Sequence, residues 1–309
     1  MKKDPIPALI ARVSERLLRK HLFHLAKDPL PFRKINCTLP GHAKHTLAET
    51  DDFIQGKLEG WGYPVEREGC LVQAFRCDVT KPKAHQYGKP RSDDPWQVAY
   101  NLYARKTGSV HPDEIIVFVA HKDSQSWVDS PGAYDNAVGT AACLEFARIL
   151  ARYRSRRSVW FLFCNEEHRP WTSVTAARNA RVRGDRLVAV FNVDALGGKS
   201  ADDVVAGRKT NVTGYTAPEG EPLADLVAEV NDRYGIGLDQ SKARRLQPGD
   251  DDGSFIKEGF PAAVIHCGSV PYADPEYHLE SDTAEHVDLP NVRMAAQAAL
   301  AAAVRVDQA

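Results

Sequence analysis

No stretch of the sequence approaches the ~18 consecutive apolar residues that a membrane-spanning helix needs, so no span is expected. The start, MKKDPIPALIARVSERLLRK, has two lysines but no apolar core between its charges, and as it stands it is no secretory signal. The six cysteines (Cys37, Cys70, Cys77, Cys143, Cys164 and Cys267) show no CxxC spacing. Cys143 and Cys164 lie inside apolar runs and read as small core residues. Reduced thiols and a cytoplasmic location are therefore expected, where the NVT sequon at Asn211 would carry no glycan. A net charge of −1 leaves no excess of basic surface, which argues against nucleic acid as the main partner. The clearest basic run, Arg152 to Arg157, reads as a solvated turn between a helix and a strand. No internal repeat and no linker divides the chain.

What the sequence does have is apolar residues, 43% of 309, enough for one sizeable core. Helical periodicity over residues 6–27 puts Leu9, Ile10, Val13, Leu17, Leu18 and Leu22 on one face, and a second helix is predicted over roughly 46–60. Two strands near 70–79 and 96–104 flank a polar, proline-containing stretch and read as a long hairpin. Strands and helices then alternate: strands at 115–120, 158–164, 187–193 and 262–266, helices at 136–153, 173–181, 222–234 and 292–304, and a helical turn at 255–258. That alternation predicts a single α/β domain over 1–309, with a central mixed, mostly parallel β-sheet flanked by helices on both faces. Residues 1–95 would form variable N-terminal helices and the hairpin, and 96–309 the core.

Five segments carry side chains suited to metals: HKD (His121–Asp123), GAYDNAVG (Gly132–Gly139), NEE (Asn165–Glu167), NVDALG (Asn192–Gly197) and EYHLESDT (Glu276–Thr283). Each alone is weak. A histidine after a strand is commonly a loop residue, and Asp135 could simply cap the helix that follows it. Position strengthens them, because carboxyl ends of neighbouring parallel strands converge on one crevice. Carboxylates gathered in a crevice repel one another unless cations neutralise them. Two Zn²⁺ ions would balance Asp135, Glu167, Asp194 and a hydroxide, and His121 and His278 add neutral nitrogen donors suited to zinc.

The ordered set H-K-D, G-A-Y-D-N-A-V-G, N-E-E, V-D-A-L-G and Y-H-L-E-S-D-T resembles the zinc-dependent exopeptidases of the leucyl aminopeptidase, aminopeptidase Y and glutamate carboxypeptidase type over roughly residues 95–300. Glutaminyl cyclases share that fold and ligand order. The resemblance implies that Asp135 bridges two ions, that His121 and Asp194 complete one and that Glu167 and His278 complete the other. It implies that Asp123 orients His121, and that Glu166 is the general base, passing a proton from the attacking water to the leaving amine. The expected activity is hydrolysis of N-terminal peptide bonds on a peptide or small aminoacyl substrate, with no nucleic acid or membrane partner. Cyclase chemistry at a single zinc, a carboxypeptidase acting on small acidic or acylated peptides and an inactive binding relative are the alternatives. Asn136 after the bridging aspartate tilts away from the cyclases, where serine is usual.

Departures concern the substrate mouth. The family pattern Glu-Glu-x-Gly-Leu-x-Gly-Ser is replaced by Glu166-Glu167-His168-Arg169-Pro170-Trp171-Thr172-Ser173, with both glycines gone. His168 is expected to be no ligand. Arg169 could bind a substrate carboxylate or be a solvated loop residue. In GDDDGSFIKEGFPA, Asp251 has the family spacing to Phe255 and could line the pocket or belong to an acidic turn before a helix. Tyr277 could donate to an oxyanion or pack as an aromatic.

Overall fold

The computed structural model describes residues 4–309; the lysine pair at positions 2 and 3 lies outside the described residues. The N-terminal periodicity resolves into two helices rather than the one predicted over 6–27: α1 (Ile6–Ile10) and α2 (Glu15–Ala26). The break falls at Ser14, whose hydroxyl caps α2 by accepting from Leu17 N at 3.3 Å. α3 (Thr46–Gly60) follows, then β1 (Val65–Ala74), the short strands β2 (Arg76–Cys77) and β3 (Tyr87–Gly88), and β4 (Gln97–Lys106). β1 and β4 pair antiparallel as the predicted hairpin, although β1 begins five residues before the expected start at 70.

The alternating part comprises β5 (His111–His121), α4 (Val138–Leu150), β6 (Arg157–Cys164), β7 (His168–Arg169), α5 (Thr172–Arg183), β8 (Arg186–Val193), α6 (Ala201–Val205), β9 (Thr210–Tyr215), α7 (Glu221–Arg233), β10 (Asp239–Arg244), α8 (Asp250–Lys257), β11 (Ala263–Cys267) and α9 (Leu289–Gln308). Among the described residues nine strands form one mixed sheet in the order β10-β9-β11-β8-β5-β6-β4-β1-β7. Parallel pairing runs through the centre, β11 with β8, β8 with β5 and β5 with β6; antiparallel pairs lie to either side. β5 is the central strand. Its apolar run Ile115–Ala120 is buried on both faces, as a strand without polar alternation requires. One core cluster includes Ile6 of α1, Phe118 of β5 and Val304 of α9, so the N-terminal helices share the core of the alternating part. Cys143 and Cys164 are fully buried and all six cysteines are free. Asn211 of the sequon is fully buried within β9. Among the described residues, no helix is long and apolar enough to cross a membrane.

Candidate metal centre

Three parallel strands deliver the site. β5 ends at His121, β6 runs out through Asn165 to Glu166 and Glu167, and β8 ends one residue before Asp194. The register pairs His121 with Cys164 and Val119 with Asn192, so the three strand ends lie side by side. Asp135 arrives from the segment before α4. It does not cap that helix, whose N-cap is Ala137 with no side-chain hydrogen bond. His278 arrives from the loop between β11 and α9.

These five residues meet. His121 Nε2 lies 3.0 Å from Asp135 Oδ1 and 3.4 Å from Asp194 Oδ1. His278 Nε2 lies 3.0 Å from Asp135 Oδ2 and 3.6 Å from Glu167 Oε1. The donor atoms form two trios, His121/Asp135/Asp194 and Asp135/Glu167/His278, with the atoms of each within 4.8 Å of one another. Asp135 belongs to both and turns one oxygen to each, as a bridging carboxylate must. All five side chains are buried.

The electrostatics fit cations at both trios. Burial and then Asp135 push Glu167 up to about 8. Burial also raises Asp194, although His121 opposes the shift. Asp194 Oδ1 is buried with no hydrogen-bond partner. Buried acids held this close remain ionised only when a positive charge joins them. The mixed nitrogen and oxygen donors suit zinc.

Asp123 ties the first trio together from behind. Its Oδ1 lies 3.3 Å from His121 Nδ1 and accepts from Glu166 N at 3.0 Å; its Oδ2 accepts from Glu167 N at 2.7 Å and lies 2.9 Å from His168 Nδ1. Burial opposes its ionisation, but His168 and His121 outweigh that and hold its carboxyl far below the usual range. His278 is backed differently, with Nδ1 2.7 Å from the Ala84 carbonyl. Fixing the second ring nitrogen orients the first toward its ligand.

Several residues that the motifs do not single out complete the site. Gln125 Nε2 donates to Asp135 Oδ2 at 2.9 Å and to Glu167 Oε1 at 2.8 Å, spanning the second trio. Arg33, fully buried, donates to the carbonyls of Leu25, Lys122, Pro131 and Gly132 and so ties α2 to the segments that follow His121 and precede Asp135. Burial lowers its pKa to about 10, with Asp123, Asp282 and Asp135 opposing. Asp282 accepts from the backbone N–H groups of Tyr134 and Asp135 at 2.9 and 3.2 Å. Tyr272 donates to Asp194 Oδ2 at 3.2 Å. Gln125 and Asp282 lie inside or beside quoted motifs, but residue type alone did not mark them. Arg33 carries no sequence signal, because its partners are main-chain carbonyls.

A cavity of about 200 Å³ opens onto the trios, walled by Phe75, Tyr87, Trp127, Trp171, Tyr272 and Tyr277. Glu166 and Asp250 also line it. Tyr277, stacked on His278 with ring centroids 3.8 Å apart, is part of this wall. Asp251 is not. It is fully buried, with Oδ2 2.9 Å from Cys164 Sγ, and its neighbour Asp250 faces the cavity instead. The reason is local: the first turn of α8 directs adjacent side chains to different sides. Arg169 is exposed on β7, pairs in register with Gln73, and does not line the cavity. Among the described residues, three non-glycine residues have positive φ in the left-handed region: Ala195 at 47°, Asp250 at 53° and His278 at 60°. All three are at or beside this site, where backbone strain commonly concentrates.

Comparison with known proteins agrees with this geometry. The family model described as Peptidase family M28 matches residues 101–303. A probable zinc metalloprotease of Pyrenophora tritici-repentis is 31% identical over 172 residues, covering 51% of this chain and 36% of that protein. A probable aminopeptidase of Saccharomyces cerevisiae is 25% identical over 206 residues, covering 62% of this chain and 53% of that protein. The chain thus spans about half or less of the length of these curated relatives. Among solved structures, the LapA aminopeptidase of Legionella pneumophila superposes with a TM-score of 0.73 at 19% identity, covering 100% of this chain and 78% of that one. A glutaminyl cyclase of Bacteroides thetaiotaomicron superposes at 0.69 and 16% identity, covering 93% and 96%. These two establish a shared fold, and the family match, which includes all five clustered residues, establishes that the chain belongs to peptidase family M28.

Proposed function

We propose that the chain is a di-zinc aminopeptidase that hydrolyses N-terminal peptide bonds, the reading supported above all by the charge of the cavity wall. Glu166 and Asp250 line it beyond the clustered ligands, and among the described residues no lysine or arginine does. Such a wall attracts a free α-ammonium and repels a terminal carboxylate, which favours an aminopeptidase over a carboxypeptidase. Two complete trios favour two ions over the single zinc of cyclase chemistry.

In this reading His121, Asp135 and Asp194 hold one ion and Asp135, Glu167 and His278 the other. Zinc would polarise the scissile carbonyl and lower the pKa of water. Glu166 faces the cavity beside the ligand Glu167, whose backbone N–H and its own both rest on Asp123. Burial, then Asp251 and Asp250, raise the Glu166 carboxyl well above its usual range. From that position at the cavity wall Glu166 would take a proton from the attacking water and return it to the leaving amine. The aromatic wall supplies apolar surface for the first side chain and excludes bulk water. The six unpaired thiols fit a reducing compartment such as the cytoplasm.

The test is a panel of aminoacyl-anilides, N-acylated peptides and N-terminal-glutamine peptides given to the zinc-loaded chain. Turnover of the free-amine substrates alone is the expected result. Ammonia release with ring closure of the glutamine peptides would establish the cyclase reading instead, and cleavage of N-acylated peptides at the carboxyl end would overturn the proposal.

A further inference from the structure

A second cavity, of about 630 Å³, lies between α2 and α3 and shares no residue with the candidate metal centre. Arg16, Arg19 and Lys20 line it from α2 and Lys57 from α3. Spacings of three and four residues set the α2 cations on one helical face. Nearby acids are engaged elsewhere: Glu15 pairs with Arg293 at 3.6 Å, and Glu285 pairs with Lys27. Among the described residues none of the four cations has a carboxylate within ion-pair distance, and Asp28 is the only acid on the wall. In a chain whose net charge is −1, this is a local concentration of positive charge without internal compensation.

Two of the four cations are held on aromatic supports. Arg19 lies with its guanidinium carbon 4.0 Å from the Phe23 ring centroid, and Lys57 Nζ lies 5.2 Å from that of Phe53. His24 stacks on Phe53 with centroids 3.8 Å apart. Such packing fixes long side chains and reduces the entropy cost when they take up a ligand. Beneath them, His21 is 4% exposed, lines the cavity, and its Nδ1 has no hydrogen-bond partner. Burial first, then Lys57, Lys20, His24 and Arg148 around it, push His21 down to about 4.

We propose that this groove is a binding site for a small multiply phosphorylated molecule, its phosphates neutralised by Arg16, Arg19, Lys20 and Lys57. The volume exceeds what one phosphate occupies, and the cations surround a concavity instead of extending as a stripe along the surface, which favours a compact ligand over a nucleic-acid strand. Arginine and lysine donors on phosphate form charge-assisted hydrogen bonds, which these side chains otherwise lack here.

The experiment is calorimetric titration of the full chain with fructose 1,6-bisphosphate, inorganic phosphate and a short single-stranded oligonucleotide, with histidine ring NMR signals followed in parallel. The bisphosphate should bind more tightly than inorganic phosphate and shift the His21 titration upward. The variant Arg16→Gln/Lys20→Gln/Lys57→Gln should weaken bisphosphate binding by about tenfold or more, because it removes the charge from three of the four phosphate donors. A control neutralising the exposed Arg152, Arg154 and Arg178 should leave it unchanged. Equal affinity in the wild type and the groove variant, no bisphosphate binding at millimolar concentration, or binding of the oligonucleotide alone would overturn the proposal. None of these outcomes bears on the metal centre, because the groove variant leaves every residue there intact.

Discussion

The two trios share Asp135 but are built differently. His121 stands at the end of the central strand, and its backing carboxylate, Asp123, lies two residues further along and also receives the N–H groups of Glu166 and Glu167. His278 stands on a loop in a left-handed conformation, is backed by a main-chain carbonyl from the distant residue Ala84, and is enclosed by Trp127, Tyr87 and Tyr277. The first half inherits its order from sheet pairing, whereas the second is assembled from three loops that must each find the others. Stability of the site should therefore be unequal, with the loop half opening at lower cost.

Among changes outside the five clustered residues, the largest expected effect comes from Asp123→Ala. Asp123 is outside the cluster itself, yet it orients His121 of one trio and fixes the backbone of Glu167 in the other. Metal affinity should fall at both trios, by about 10- to 100-fold, as read by zinc titration against a chelator. By contrast His278→Ala should empty only the loop half and leave about one zinc equivalent per chain, since the three donors of the first trio remain. Loss at a single trio in the first variant, or at both in the second, would break the comparison.

Arg33→Met comes next. It removes a buried cation that satisfies four carbonyls where α2 meets the segments that follow His121 and precede Asp135. A loss of roughly 3–5 kcal/mol is expected in urea unfolding, as for other broken buried charge networks. Trp127→Ala tests the loop half alone. It should raise KM by about tenfold by removing aromatic surface from the cavity, with zinc content at the first trio unchanged.

The smallest effect separates the sheet from its site. His266 of β11 is fully buried, and burial lowers its pKa to about 3 from an ordinary 6.5. A depressed histidine is neutral in the fold while the unfolded chain takes up protons below pH 6.5. Its contribution is therefore intact above that pH and is lost as pH falls toward the folded value. Between pH 7 and 5 the wild type should lose about 2 kcal/mol more unfolding free energy than His266→Phe, from the linkage of proton binding to folding. An identical slope in both proteins would refute this.

The same contrast explains how much could be read from the sequence. Strand-borne residues were legible, since an apolar run ending in His121 or Asp194 indicates both the element and where its end must lie. The strands β9 and β10 were missed: β10 is largely exposed and carries Asp239, Lys242 and Arg244, with no apolar alternation to reveal it. The single helix predicted over 6–27 overlooked Ser14, whose capping hydroxyl competes locally with helix continuation. At the mouth, Asp251 and Asp250 could not be told apart, because one residue of helical rotation decides which faces the cavity. Arg33, Gln125 and Tyr272 act through tertiary partners that sequence spacing does not encode.

Under the proposed function divalent ions hold together five buried side chains from separate segments, and zinc stoichiometry in the purified full chain tests this most directly. About two zinc equivalents per folded chain are expected, with almost complete loss of both in Asp135→Ala, because that carboxylate serves both trios. A folded wild-type chain that binds no zinc, or an Asp135→Ala chain that retains both equivalents, would contradict it.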